Sequence, residues 1–124
     1  MKHGVFGAAI LAAALLYAPV AAMAQARQNF TLVNETGYDI AEVYVSPHNA
    51  DDWQEDVLGD KILVDEDDIE IRFQRATRTC LWDLKVVYDD DDSSAEWESI
   101  DLCRVSVVTI EYNRRTRATT ATFK

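Results

Sequence analysis

Glycine is scarce in this sequence, with four in the whole chain, and no glycine-rich loop that could cradle a phosphate is present. Histidine is scarcer in effect, because His3 lies among the first residues and only His48 remains for later chemistry. A hydrolase would have to combine His48 with Ser46 and Asp51 or Asp52, without a GxSxG turn or an evident oxyanion hole. A solvated loop histidine is the simpler reading. Cys80 and Cys103 are the only cysteines, and they lack the CxxC spacing of a redox pair or thiolate metal site. Paired carboxylates for glycoside chemistry need a deep cleft, for which a domain of this size offers little room. Basic residues are also short, 12 against 22 acidic ones, and that balance repels nucleic acid and anionic lipid alike.

What the chain does have begins with a leader. Met1, Lys2 and His3 precede an uncharged, Ala- and Leu-rich run over residues 4–22. This is the layout of a secretory signal of bacterial type. Ala22, Met23 and Ala24 supply small residues at the cleavage positions, so residues 1–24 are assigned to the signal peptide and 25–124 to one mature domain, with Ala24-Gln25-Ala26 as the alternative cleavage site. Pro19 interrupts the run, whose length is marginal for a membrane span of about 20 residues. No cysteine follows it to take a lipid, and no arginine pair precedes it. The expected location is periplasmic or secreted, with no stable membrane insertion after cleavage. Loss of Lys2 leaves a mature net charge of −11. In an oxidising compartment Cys80 and Cys103 should form a disulfide, contributing about 3 kcal/mol in the chain-entropy account.

Beyond the leader there is no helix-length amphipathic segment. Short β-like runs alternate with acidic or polar turns. Residues 30–33 and 40–45 flank Asn34-Glu35-Thr36-Gly37 and read as a hairpin. Pro47 ends the second run, and residues 46–60 form the longest connection, with a helical turn expected over 51–56. Residues 62–64 are a short strand candidate, and Ile69, Ile71 and Phe73 alternate with polar residues. Cys80, Trp82, Leu84, Val86 and Tyr88 repeat at a period of two. Residues 95–102 switch parity between Trp97 and Ile100, which predicts a bulge. Runs at 105–112 and 118–123 follow. The pattern specifies an all-β fold, an antiparallel β-sandwich of about seven or eight short strands with one disulfide.

Strict up-and-down alternation assigns each connection to one end of the sheets. Cys80, Cys103, the 46–61 connection, Arg75 and Arg78 fall at one end. The acidic stretches 65–68 and 89–92 fall at the other with Arg114, Arg115 and Arg117, which are expected to neutralise them. Carboxylates on neighbouring loops suit a hard cation. No stretch has EF-hand spacing, and solvated acidic turns that keep sheet edges apart are the competing explanation. If calcium binds, Asp52 and Asp56 of the long loop with Asp101 from the same end are the candidate ligands; no other cofactor is implied. Trp82 reads as core, while Trp53 is a candidate binding platform and Trp97 a second. Asn29 and Asn34 begin glycosylation sequons, which a bacterial chain should leave unmodified.

Phe30, Asn34, Thr36 and Gly37, the strand Val43-Tyr44-Val45-Ser46-Pro47, and Asp52, Trp53, Asp56, Leu58 and Gly59 together form a distinctive pattern. With Cys80-Leu81-Trp82-Asp83-Leu84 and Asp101-Leu102-Cys103, it resembles a family of small exported bacterial proteins of uncharacterised function. Some members carry the label argininosuccinate lyase, which does not suit this chain: that enzyme is a large helical tetramer, and its Gly-Ser-Ser loop is missing here. The resemblance implies export and a β-sandwich, and no mechanism. The expected function is a non-enzymatic binding or interaction module for calcium, a cationic ligand or a protein partner. A small periplasmic hydrolase or lyase, or a purely structural envelope protein, are the alternatives. Mass spectrometry of the exported protein should find Gln25 or Arg27 at its N-terminus; a membrane-bound form retaining Met1 would refute the leader assignment.

Overall fold

Alternating burial is what turns the apolar residues of this chain into strands. In β4, Leu81–Tyr88, the side chains of Trp82, Leu84, Val86 and Tyr88 are buried, while Asp83 and Lys85 stand on the opposite face. The computed structural model describes residues 26–73 and 78–124; the segment expected to be a leader and Arg75 lie outside the described residues. The remaining strands are β1 Phe30–Glu35, β2 Ile40–Pro47, β3 Asp68–Ile71, β5 Ser94–Asp101, β6 Val107–Asn113 and β7 Ala118–Phe123, with no helix among the described residues. They form two sheets, one ordered β3-β1-β6-β7 and the other β2-β4-β5.

The inner faces meet in one core that includes Phe30, Leu32, Ile40, Val43, Leu84, Val86, Val108 and Ile110. Burying each such side chain contributes roughly 1.5–3 kcal/mol. This is the expected all-β sandwich with one disulfide. One pairing departs from antiparallel: β1 runs parallel to β6. Alternation sends β1 and β6 the same way once the chain pass through residues 62–64, which bridges β2 at Ile40, is counted, and dividing the strands between two sheets makes them neighbours.

Several local expectations give way. β1 and β2 belong to different sheets, so the Asn34 to Gly37 turn makes an arch between sheets and no hairpin. Residues 51–56 form a bend at 51–52 followed by irregular chain, without a helical turn, and 62–64 contribute a single bridge, Leu63 to Ile40. The 46–61 connection starts at the cysteine end but does not stay there. It returns along the free edge of β2, where Gln54 N donates to Ser46 Oγ (3.2 Å), Val57 N donates to the Val43 carbonyl (2.8 Å), and Ile40 and Leu63 exchange backbone bonds of 3.0 and 2.9 Å. An edge strand with unpaired backbone invites association, and the loop closes it.

Cys80 and Cys103 are bonded, with Cα atoms 5.2 Å apart, immediately outside β4 and β5. The expected bulge is present in β5: Trp82 pairs with Ile100 and Leu84 with Trp97, so Glu98 and Ser99 both stand opposite Asp83. Ser99 takes a positive φ of 58° and its N–H donates to Asp83 Oδ1 at 2.9 Å. The extra residue lets Trp97 and Ile100 both face the core despite their opposite parity.

The arch depends on Asn34, which is fully buried. Its Nδ2 donates to the carbonyls of Tyr38 (2.8 Å) and Leu63 (2.9 Å), while Oδ1 accepts from Thr36 N (3.0 Å) and Thr36 Oγ1 (2.7 Å). Gly37, at φ 87°, then donates its N–H to Asp65 Oδ1 at 2.8 Å. An amide has two donors and one two-sided acceptor, and all are used here. Asn34→Asp keeps the shape but turns an acceptor toward two carbonyls, so chemical denaturation should show a loss of at least about 3 kcal/mol. A loss below about 1 kcal/mol would remove this amide from its central role.

Candidate functional site

The turns opposite the disulfide gather three tyrosines from separate elements. Tyr38 sits in the arch after β1, Tyr88 ends β4, and Tyr112 lies near the end of β6. Their rings meet edge to face, with centroids 6.1 Å (Tyr38–Tyr88), 5.4 Å (Tyr38–Tyr112) and 6.1 Å (Tyr88–Tyr112) apart. The Tyr88 hydroxyl shares a 2.7 Å hydrogen bond with Thr119 Oγ1 of β7. Beside the rings, Asp90, Asp91 and Ser93 from the β4–β5 turn complete a pocket of about 110 Å³. Pockets for drug-sized ligands are about 300–1,000 Å³, so this one admits a small group or the tip of a side chain.

Electrostatics suit a positive group. Asp91 Oδ1 accepts from Ser93 Oγ at 2.7 Å and Ser93 N at 3.0 Å, and these bonds hold its carboxyl below the usual range. Burial pushes the Tyr88 hydroxyl up, outweighing its hydrogen bonds to Thr119 and Thr36. At neutral pH the pocket is therefore lined by a neutral phenol and a charged carboxylate. The Arg114 guanidinium already lies 5.6 Å from the Tyr38 ring centre, so one ring of the group accepts a cation within the chain itself.

The residues singled out from the sequence are arranged differently from expectation. Asp56 Oδ1 accepts from Val43 N (2.8 Å) and Leu58 N (3.0 Å), which makes it part of the β2 edge closure. Asp52 is exposed on the same loop. Asp101 belongs to β5, on the far side of β4 from that loop, where its Oδ1 accepts from Cys103 N at 3.1 Å. Two strand spacings, roughly 9–10 Å, separate β2 from β5, which keeps these three carboxylates from one point. Among the described residues, the grouping of metal-ligand atoms within 4.8 Å is Cys80, Asp101 and Cys103, and its two sulfurs are joined in the disulfide.

His48 meets neither Asp51 nor Asp52; its Nδ1 lies 2.9 Å from Asp83 Oδ1. The Ser46 hydroxyl accepts from Gln54 N, so the imagined triad is not assembled. Trp53 is half-buried on the outer face of its sheet, its ring 6.4 Å from that of Tyr44, and Trp97 packs against the core. The ion pairs within 4.0 Å among the described residues join His48 to Asp83, Arg72 to Glu70 and Arg104 to Asp101. Arg114, Arg115 and Arg117 form none with the acidic turns, where exposure makes such pairs worth little.

The tyrosines were not singled out from sequence, although a signal existed. Tyr88 and Tyr112 are each the last inward residue of a strong alternating run, and strand alternation sends both to the end that carries residues 89–92.

Fold and pocket together define a disulfide-linked β-sandwich with a small acid-rimmed aromatic site. No family model matches the chain, and no curated protein matches it. A solved structure described as the NMR structure of the protein from Eubacterium rectale is similar, with a TM-score of 0.54 at 13% identity, covering 77% of this chain and 85% of that one. The likeness shows the fold alone.

Tyr44, on the outer face, provides a pH test of this geometry. Its hydroxyl donates to Glu42, and that bond, followed by burial and the charges of Glu42 and Asp56, pushes its pKa from 10.0 up to about 12. A raised phenol pKa means folding favours the neutral form, so this contribution is intact below pH 10 and disappears as pH rises through about 12. Ultraviolet titration should show a late phase to which both Tyr44 and Tyr88 contribute, and Tyr44→Phe should remove one tyrosine's amplitude from it; an unchanged late phase would place the shift elsewhere.

Proposed function

We propose that this protein is an exported, non-enzymatic binding module that takes a cationic group, the ammonium of a lysine side chain, into the pocket of Tyr38, Tyr88 and Tyr112. The observation that carries this reading is the conjunction of three tyrosine rings with Asp90 and Asp91 around about 110 Å³. Ring faces attract cations, and nearby carboxylates add direct charge complementarity. A mature net charge of −11 raises the local concentration of basic partners. The leader and the disulfide support action in an oxidising compartment outside the cytoplasm. The cation is thus assigned to the 89–93 turn in place of the 51–60 loop, whose Asp56 is already engaged by backbone N–H groups.

The test uses Nα-acetyl-lysine methylamide, with the corresponding norleucine compound as the uncharged control, followed by amide NMR shifts. Binding near 1 mM is expected, about 4 kcal/mol, weakened severalfold by 0.5 M salt and by Asp91→Asn, and unaffected by Asp52→Asn. Equal response to lysine and norleucine, or shifts centred on the 51–60 loop, would overturn it.

A further inference from the structure

Of the sheet edges, one lacks any guard among the described residues. The β2 edge is covered by residues 54–63, as described above. β5 carries Glu96, Glu98 and Asp101 and is bent by its bulge. β3 has four residues, among them Asp68 and Glu70. β7, with the sequence Ala-Thr-Thr-Ala-Thr-Phe, has six residues, no charge, no proline and no bulge, and it is the last strand of its sheet. These are the features natural edge strands avoid unless something pairs with them.

The register shows which backbone groups are open. Val107 and Lys124 exchange both of their bonds, Val107 N to the Lys124 carbonyl at 3.0 Å and Lys124 N to the Val107 carbonyl at 2.9 Å. Bonded and non-bonded pairs alternate along an antiparallel ladder. Thr122, Thr120 and Ala118 therefore point their N–H and C=O groups at β6, and Phe123, Ala121 and Thr119 point theirs outward. Phe123 also keeps 41% of its surface exposed. The outward set begins at Thr119, the residue that bonds the Tyr88 hydroxyl and pairs with Tyr112. The open edge and the aromatic pocket thus adjoin.

We infer that the partner is an extended, lysine-containing peptide segment that adds as a strand to β7 and directs its lysine past Thr119 into the tyrosine pocket. This rests on the cation-binding reading above and supplies the form of the ligand. In a paired strand the residue opposite Thr119 projects from the same face as Thr119. That is the face from which Thr119 reaches Tyr88. Main-chain bonds would give affinity without regard to sequence, and the lysine would give selectivity. A second copy of the chain is disfavoured as the occupant because two mature chains, each with a net charge of −11, repel one another.

The probe is the capped hexapeptide Thr-Val-Lys-Val-Thr-Val, compared with a version N-methylated on the alternate residues that would face β7, and with capped lysine alone. The hexapeptide should bind about tenfold tighter than capped lysine, shift the amides of Thr119, Ala121 and Phe123, and lose that gain on N-methylation. Ala121→Pro, which removes an outward N–H while leaving the β6 bonds, should act like N-methylation. If capped lysine titrates the pocket but the hexapeptide gains nothing, the edge inference is overturned and the pocket reading stands. If neither ligand moves Tyr38, Tyr88 or Tyr112, both are overturned. A peptide-free dimer in sedimentation, dissociated by Ala121→Pro, would assign the edge to a second copy and overturn the peptide.

Discussion

Everything at the tyrosine end of this molecule hangs on a single buried amide. The chain must leave one sheet at Glu35 and enter the other at Ile40, and the residues between cannot satisfy their backbone groups in either ladder. Asn34 resolves this with both faces of its side chain. Oδ1 fixes the tight part of the arch through Thr36, and Nδ2 holds the carbonyls of Tyr38 and Leu63. Holding Leu63 starts the closure of the β2 edge, since Leu63 exchanges bonds with Ile40. Holding Tyr38 sets one wall of the aromatic pocket. The amide that permits the sandwich therefore also orients its site.

The same buried amide explains which features could be read from sequence. Alternation reports which face a residue takes, so the core of β4, the parity switch in β5 and the placing of Cys80 with Cys103 were legible. Alternation does not report which strand lies alongside. Asn34-Glu35-Thr36-Gly37 announces a turn, yet a hairpin and an arch use the same turn chemistry, and only the packing of Leu32 and Val43 into opposing sheets separates them. The long loop misled for a related reason. Its acidic residues were countable, whereas the need of Val43 N for a partner appears only once β2 is known to be an edge. The tyrosines come from distant parts of the chain, so no local spacing joins them.

Acidic residues do more here than solvate the surface. Asp56, Asp65, Asp83, Asp91 and Asp101 each accept at least one backbone N–H, at Val43 and Leu58, Gly37, Ser99, Ser93 and Cys103 respectively. Carboxylate acceptors make stronger bonds than neutral ones, and each of these fixes a turn, a bulge or an edge. A carboxylate engaged in this way has part of its charge balanced by oriented N–H dipoles. That is the role a bound cation would otherwise fill, and it explains how so acidic a chain assembles its loops without drawing the acids of one loop to a common centre.

Scarcity of glycine leaves its mark at the tyrosine end. Turns that need left-handed backbone ordinarily use glycine, and Gly37 does so here at φ 87°. The neighbouring turns use Glu66 at φ 70°, Asp92 at φ 60° and Arg117 at φ 61°. Each such residue costs about 1–2 kcal/mol relative to a relaxed conformation and persists because its surroundings impose it. Asp92 N donates to the Tyr88 carbonyl at 3.2 Å, and Arg117 N donates to the Asn113 carbonyl at 2.7 Å, so the turns bearing these residues are tied to the strands that end in Tyr88 and follow Tyr112. The cysteine end is held by a covalent bond. The opposite end is held by turns whose conformational cost is met through hydrogen bonds to the strands that carry the aromatic site, and distorting the pocket would mean breaking those bonds.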